Sequence, residues 1–283
     1  MNWQTLGFDL NKTFFEKAVR ENLLSHAYLF TGQEMIGKKT FALDLARLVT
    51  GFDVLNSNPN LFLLGGNIAI TIDQIRDFKK FLSLKPYSGD YKVGIIDDCH
   101  LMGAEAANAI LKVLEEPSGH SLIILITSNY GQLLKTIYSR CEEIKFSPHP
   151  KLQLLKYLGG LGLNQKQSQF LADFSNGRLG LAYRMRDDDS FKNIKKTLEE
   201  FNKILKSDIN ERLNFAERIF KKEEPESVSP MILNWLFYLR SDLSKNLKIN
   251  RAQALRKIIE VGYILSKPQY NHRLAFENLL VSL

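Results

Sequence analysis

The chain has 283 residues, of which 45% are hydrophobic and 24% are charged, and its net charge is +7. It contains no apolar stretch near the roughly 20 residues that a membrane-spanning helix needs, which excludes an integral membrane protein built from such helices. The first residues lack the basic start and apolar run of a signal peptide, so we expect a cytoplasmic protein.

The first half alternates short β-rich segments with helical patterns. The sequence predicts strands at residues 27–30, 91–97 and 121–127, and helices at residues 38–49, 72–84 and 104–115. Pro117 ends the last of these helices, because proline cannot continue one. Strand 121–127 is almost wholly apolar, as in a parallel sheet that is covered on both faces. This order predicts an α/β domain with a parallel sheet flanked by helices.

The second half predicts helices alone after residue 146. A small helical unit extends to about residue 186, the polar run at residues 187–190 is interpreted as a linker, and long helical patterns follow to residue 283. The excess of basic residues lies in this half. Such charge attracts nucleic acid in some proteins, but the interpretation favoured here is a solvated helical face.

A phosphate-loop pattern, GQEMIGKKT at residues 32–40, follows the first predicted strand and opens a helix. Its backbone amides would surround phosphate groups, and Lys38 would reach the terminal ones. Lys39 occupies the position that normally supplies a hydroxyl to magnesium, and an ammonium has no lone pair for a metal. Thr40 cannot replace that hydroxyl, because the next helical residue is turned by about 100°. The alternative is an ordinary glycine turn with surface lysines.

Acidic and polar residues end two of the predicted strands. Asp97 and Asp98 follow an apolar strand as in a Walker B element, where the first acid holds magnesium and the second orients water. Asp98 is one methylene shorter than the usual glutamate, enough to misplace a catalytic base. Thr127 ends the next strand at the place of a polar phosphate sensor. The alternative is that these residues belong to solvated turns.

The motif TIYSRC at residues 136–141 resembles the arginine-finger motif of AAA+ clamp loaders, and the resemblance extends over residues 22–147. Similar segments are HAYLF (26–30), IDQIR (72–76), DDCHLM (97–102) and EAANAILKVLEEP (105–117). The resemblance implies an AAA+ P-loop domain at residues 1–147, a helical lid at 148–188 and an all-α collar domain at 189–283. It also implies that Arg140 acts as an arginine finger in a neighbouring subunit.

Departures from the family pattern favour a subunit of the delta-prime type. In the lid motif GRLGLA at residues 177–182, Gly180 stands where hydrolysing relatives have an arginine, and Arg178 comes two residues too early. The segment 50–67 lacks the four-cysteine zinc module of many relatives. Because Cys99 and Cys141 are the only cysteines, we expect no zinc or other metal.

The function implied is that of a component of the bacterial DNA polymerase III holoenzyme. The chain would join gamma/tau and delta subunits in a hetero-pentamer that loads a sliding clamp onto primed DNA. Little ATPase activity is expected, and whether ATP binds at the degenerate site stays open. One alternative is an active gamma/tau-like ATPase, favoured by Gly32, Gly37 and Lys38. A second is an NTP-binding regulatory switch outside replication.

Overall fold

A computed structural model describes residues 3–52, 58–66, 69–222, 228–243, 249–265 and 269–283. The predicted segment without zinc ligands, residues 50–67, lies partly outside these ranges. The described chain divides into two compact units. The first comprises Met1–His149 and Arg178–Gly180, and the second comprises Pro150–Gly177 and Leu181–Leu283. The three-domain division with boundaries at 147 and 188 stays a prediction.

The first unit contains five strands and five α-helices among the described residues. In chain order these elements are α1 (Asp9–Arg20), β1 (Ala27–Thr31), α2 (Lys38–Thr50), β2 (Leu61–Gly65), α3 (Ile72–Ser83), β3 (Lys92–Asp97), α4 (Ala104–Glu115), β4 (Ser121–Thr127), α5 (Lys135–Tyr138) and β5 (Glu142–Lys145). All five strands are parallel, in the order β2-β3-β4-β1-β5. The predicted α/β fold with a parallel sheet flanked by helices is therefore confirmed.

Two hydrophobic clusters cover the two faces of the sheet. On one face, α3 and α4 contribute buried residues such as Phe78 and Ile110. On the other face, α1 and α2 contribute Phe15, Phe41 and Leu45. Every residue of β1 and β4 is buried, because these strands lie in the interior of the sheet with helices on both sides.

The strand order brings three strand ends to one edge of the sheet. β3, β4 and β1 are neighbours, with Ile96 paired to Leu125 and Thr31 paired to Thr127. Since parallel strands end on the same side, Asp97, Thr127 and the loop after Thr31 lie at a common edge. Ligands of open α/β sheets bind outside such carboxyl ends.

The six strands and helices predicted for the first half are confirmed to within one residue at each end. Four elements were not predicted from the sequence: α1, β2, α5 and β5. Strand β5 has only four residues, Glu-Glu-Ile-Lys, and is partly exposed at the edge of the sheet. Its polar sequence therefore lacks the apolar run that predicts a buried strand.

The second unit is helical throughout its described residues, as predicted. Its helices are α6 (Lys151–Gly160), α7 (Gln165–Ser175), α8 (Leu179–Arg184), α9 (Asp188–Ile204), α10 (Ile209–Lys222), α11 (Val228–Leu243), α12 (Ile249–Leu265) and α13 (His272–Ser282). The first two residues of α8 belong to the first unit. The ring of Trp235 is fully buried and stacks on Phe201, with ring centroids 4.5 Å apart. None of the helices that the structure describes is long and apolar enough to cross a lipid bilayer.

The linker predicted at residues 187–190 is wrong, because α9 begins at Asp188. The carboxylate of Asp187 accepts a hydrogen bond of 2.8 Å from the backbone N–H of Ser190 and so caps the helix. Aspartate is among the best N-cap residues, and acidic residues in a first turn favour the helix dipole. The polar residues 187–190 therefore form the N-cap and first turn of α9.

Gly94 in β3 supplies a test of the core. A Cβ atom at this position would lie 2.3 Å from Cζ of Phe78, which is fully buried. We expect Gly94→Ala to destabilise the protein by about 1–3 kcal/mol, because an added methyl group forces the packed ring to move. Urea unfolding measures this change. Gly119→Ala is the control, since nothing lies within 4 Å of its added Cβ; equal midpoints for the two variants would contradict the packing described.

Candidate nucleotide-type site

The phosphate-loop segment connects β1 to α2 at the carboxyl edge of the sheet. Three of its residues have left-handed or related backbone angles, with φ of 148° at Gly32, 59° at Met35 and 113° at Gly37. Turns of this kind direct successive N–H groups into a concavity that favours anions. The helix N-terminus at Lys38 adds its own unpaired N–H groups. The backbone angles are therefore those of an anion-binding turn, and the binding of a nucleotide stays a prediction.

Lys38 lies inside this loop. Its side chain is buried, and its ammonium donates to the carbonyl oxygens of Gly32 at 2.7 Å and Gln33 at 2.6 Å. Burial lowers the pKa of Lys38 to about 8, although the nearby carboxylates of Asp97, Glu34 and Asp98 act in the opposite direction. To reach a phosphate group, the ammonium would have to exchange carbonyl partners for phosphate oxygens.

Lys39 pairs with the strand-end acid. Its Nζ lies 3.2 Å from Oδ2 of Asp97, whose side chain is only 14% exposed. The other carboxylate oxygen, Oδ1, accepts a hydrogen bond of 3.2 Å from the backbone N–H of Asp98. Asp98 has φ of 52°, in the left-handed region. Thr40, which follows Lys39 on α2, has an exposed side chain.

The family pattern implies magnesium at this place, and the residues present do not fit it. Magnesium prefers carboxylate, hydroxyl and water oxygens in octahedral geometry. Here an ammonium, which has no lone pair, already contacts Asp97. No group of three or more His, Cys, Asp or Glu that could hold a metal ion occurs in the part of the chain that the structure describes.

Thr127, predicted as a polar sensor, lies at the end of β4 and is engaged by its neighbours. Its hydroxyl oxygen lies 3.2 Å from Nδ1 of His100 and accepts a hydrogen bond of 3.0 Å from the backbone N–H of Asn129. Sequence reasoning missed His100, because a single histidine after the acidic pair gives no periodic signal.

Residues 178–180, which belong to the first unit, contact the phosphate loop. The backbone N–H of Gly180 donates to the carbonyl oxygen of Met35 at 2.7 Å, and a Cβ at Gly180 would lie 2.7 Å from that oxygen. Arg178 is buried, and its Nε donates to Oε1 of Gln33 at 3.1 Å. Glycine is thus required at position 180 for this close approach, and Arg178 reaches the loop although it comes early in the motif.

Arg140 follows α5 and is held by its own chain. Its Nη2 lies 2.6 Å from Oε1 of Glu115, the last residue of α4, and its Nη1 donates to the carbonyl oxygen of Thr136 at 2.9 Å. The side chain is 35% exposed. Sequence reasoning missed Glu115, although it lies in the segment that carries the family resemblance.

The lowered pKa of Lys38 predicts a dependence of stability on pH. Because the folded pKa is about 8 and the ordinary value is 10.5, the unfolded chain binds more protons between these values, so stability should rise with pH across this window. Lys38→Met should remove this contribution. The wild-type free energy of unfolding minus that of the variant should increase by on the order of 1 kcal/mol per pH unit above pH 8. Urea titrations at pH 7.5, 8.5 and 9.5 measure the difference; a constant value would contradict the lowered pKa.

Comparison with known proteins agrees with the fold and the motifs. Residues 52–150 match the family model described as DNA polymerase III, delta subunit. The delta' subunit of Bacillus subtilis DNA polymerase III is 30% identical over 188 residues, which cover 61% of this chain and 57% of that protein. The gamma/tau subunit of Mycoplasma genitalium is 26% identical over 265 residues, which cover 86% of this chain and 43% of that protein. The chain thus spans less than half the length of this gamma/tau relative.

A solved structure has the same fold over most of the chain. It is a DNA polymerase III gamma subunit-related protein from Thermotoga maritima, with a TM-score of 0.54, 21% identity, and coverage of 94% of this chain and 97% of that one. The order of the strands, the phosphate-loop segment and the family match agree with one another. The chain is similar to delta' and gamma/tau subunits of bacterial DNA polymerase III, and these similarities support the predicted resemblance to AAA+ clamp loaders.

Proposed function

We propose that this chain is a delta-prime-like subunit of a bacterial clamp loader. In this role it assembles with gamma/tau and delta subunits in a cytoplasmic hetero-pentamer and helps to load the sliding clamp onto primed DNA. It hydrolyses little or no ATP itself and supplies Arg140 to the ATPase site of a neighbour.

The observation that carries this proposal is the ion pair between Lys39 and Asp97 at 3.2 Å. A hydrolysing P-loop ATPase needs a metal that neutralises the charge developing on the transferred phosphoryl group. The two positions that would hold this metal are here joined to each other. A chain with such a site contributes to an ATP-driven complex through assembly and through residues that act in the ATPase site of a neighbouring subunit.

The contacts of Arg140 support a role in trans. Glu115 and the carbonyl of Thr136 hold the two terminal nitrogens, while Nε makes no hydrogen bond or ion pair among the described residues. A guanidinium that is anchored on one side and partly exposed keeps N–H groups for phosphate oxygens. Such anchoring lowers the entropy lost when the finger engages, because a free arginine side chain carries about 2 kcal/mol of rotamer entropy.

A gamma/tau-like ATPase is the second candidate, favoured by the intact Gly32, Gly37 and Lys38 and by the Mycoplasma genitalium relative that matches 86% of this chain. Native mass spectrometry of the complex purified through this chain distinguishes the two. The delta-prime role predicts one copy of this chain beside separate gamma/tau and delta subunits. Several copies, each carrying ATP, would favour the gamma/tau role.

The isolated chain should turn over almost no ATP, because Lys39, Asp98 and Gly180 each replace a group that hydrolysis needs. We expect that Lys39→Thr alone will not restore turnover, since the water-orienting residue and the lid contact remain altered. Steady-state phosphate release measures both proteins. Wild-type turnover comparable to that of a working clamp-loader ATPase would favour the gamma/tau role.

In the reconstituted complex, Arg140→Ala should reduce ATP turnover at the adjoining site by on the order of a thousandfold, because removal of an arginine finger costs about 10³ or more. Total turnover should fall only in part, since the other sites keep their own fingers. Arg140→Lys should rescue poorly, because an ammonium lacks the planar fork of guanidinium. Single-turnover assays with the neighbouring site as the only active one measure the effect.

Arg76→Ala is the matched control for this experiment, because Arg76 is also exposed and also pairs with a carboxylate, that of Asp73 at 2.6 Å. It should leave turnover unchanged. If the assembled Arg140→Ala complex hydrolyses ATP and loads clamps at the wild-type rate, Arg140 is an ordinary surface residue.

A further inference from the structure

We propose that the Lys39 ammonium is the resident cation of this site and takes the place of a divalent metal beside Asp97. The inference deepens the proposed function, on which it rests: the site of this chain is closed to divalent cations by a group of its own. Any polyphosphate bound here would be bound without magnesium.

The environment of Asp97 calls for a positive partner. Its side chain is only 14% exposed, and the carboxylates of Asp98 and Glu34 lie near enough to act, with Asp97, on the pKa of Lys38. A largely buried carboxylate is costly unless it is paired and hydrogen-bonded. Both oxygens of Asp97 have such a partner, the ammonium of Lys39 for one and the N–H of Asp98 for the other.

The two consecutive lysines have different partners. The ammonium of Lys38 donates hydrogen bonds to the carbonyl oxygens of Gly32 and Gln33, inside the phosphate loop. Lys39, one helical position further, is turned by about 100° and pairs with Asp97 instead. Lys38 therefore stabilises the phosphate loop, and Lys39 neutralises the carboxylate of Asp97.

A tethered ammonium has an advantage over a metal ion in solution. Lys39 is held beside Asp97 by the fold, so pairing costs no translational freedom. Magnesium must shed part of its tightly held hydration shell before it binds. It must also approach a site where an ammonium already lies 3.2 Å from the carboxylate. The hydroxyl of Thr127, another polar group at this edge, is engaged by His100 and Asn129.

The test asks whether removal of the Lys39 ammonium allows a divalent metal ion to bind beside Asp97. Lys39→Thr removes the ammonium and restores a hydroxyl, and we expect the variant to bind Mn²⁺ whereas the wild-type chain does not. Binding is measured as loss of the free Mn²⁺ signal in electron paramagnetic resonance, with Mn²⁺ alone and with Mn²⁺ plus ADP. The gain should disappear in the double variant Lys39→Thr/Asp97→Asn.

Thermal unfolding gives a second readout that needs neither nucleotide nor turnover. Lys39→Thr should lower the unfolding midpoint by about 2–4 °C in chelator, and millimolar Mn²⁺ should restore the midpoint for this variant only. Lys79→Thr, at an exposed position of α3, is the matched control and should show no metal-dependent recovery.

The outcomes separate this inference from the proposed function. Wild-type binding of Mn²⁺ that depends on Asp97 would overturn the inference, and so would a Lys39→Thr variant that gains neither Mn²⁺ binding nor metal-dependent recovery. Failure of the delta-prime role would appear instead in the reconstituted complex, through Arg140→Ala, and would leave the metal result unchanged.

Discussion

A largely buried carboxylate at the end of a parallel strand has to be compensated by positive charge, and this constraint determines how the site of this protein is built. Asp97 ends β3, an interior strand of the sheet, and its side chain is only 14% exposed. The family pattern meets the requirement with a metal ion, and this chain meets it with Lys39. The proposed role in assembly follows from that substitution. The Lys39 ammonium is part of the chain and cannot enter and leave with the nucleotide as a magnesium ion does, so the site lacks the metal that hydrolysis needs.

The sheet is responsible for the position of every part of the site. Because β3, β4 and β1 are parallel neighbours, Asp97, Thr127 and the phosphate loop lie at one edge. Within the same unit, the N–H of Gly180 and the side chain of Arg178 contact the loop. Arg140, in contrast, follows the short helix α5 and pairs with Glu115 at the end of α4.

The sequence was sufficient for the core of the first unit because hydrophobic periodicity and strand-end polar residues are local signals. The strands 27–31 and 121–127 and the helix 104–115 are examples. Three kinds of feature could not be predicted in this way. Edge strand β5 has a polar sequence, the acidic start of α9 resembles a linker, and the partners of Lys38, Lys39 and Arg140 depend on where side chains from distant segments meet.

The most direct measurement of the central claim is anomalous diffraction at the manganese edge from crystals of the assembled complex grown with Mn²⁺ and ADP. We expect manganese peaks in the ATPase sites of neighbouring subunits and, in this chain, an ammonium beside Asp97 with no peak near its carboxylate. A manganese peak within coordination distance of Asp97, about 2.0–2.1 Å as for Mg²⁺, with Lys39 displaced from it, would show that Lys39 is not the resident cation of this site.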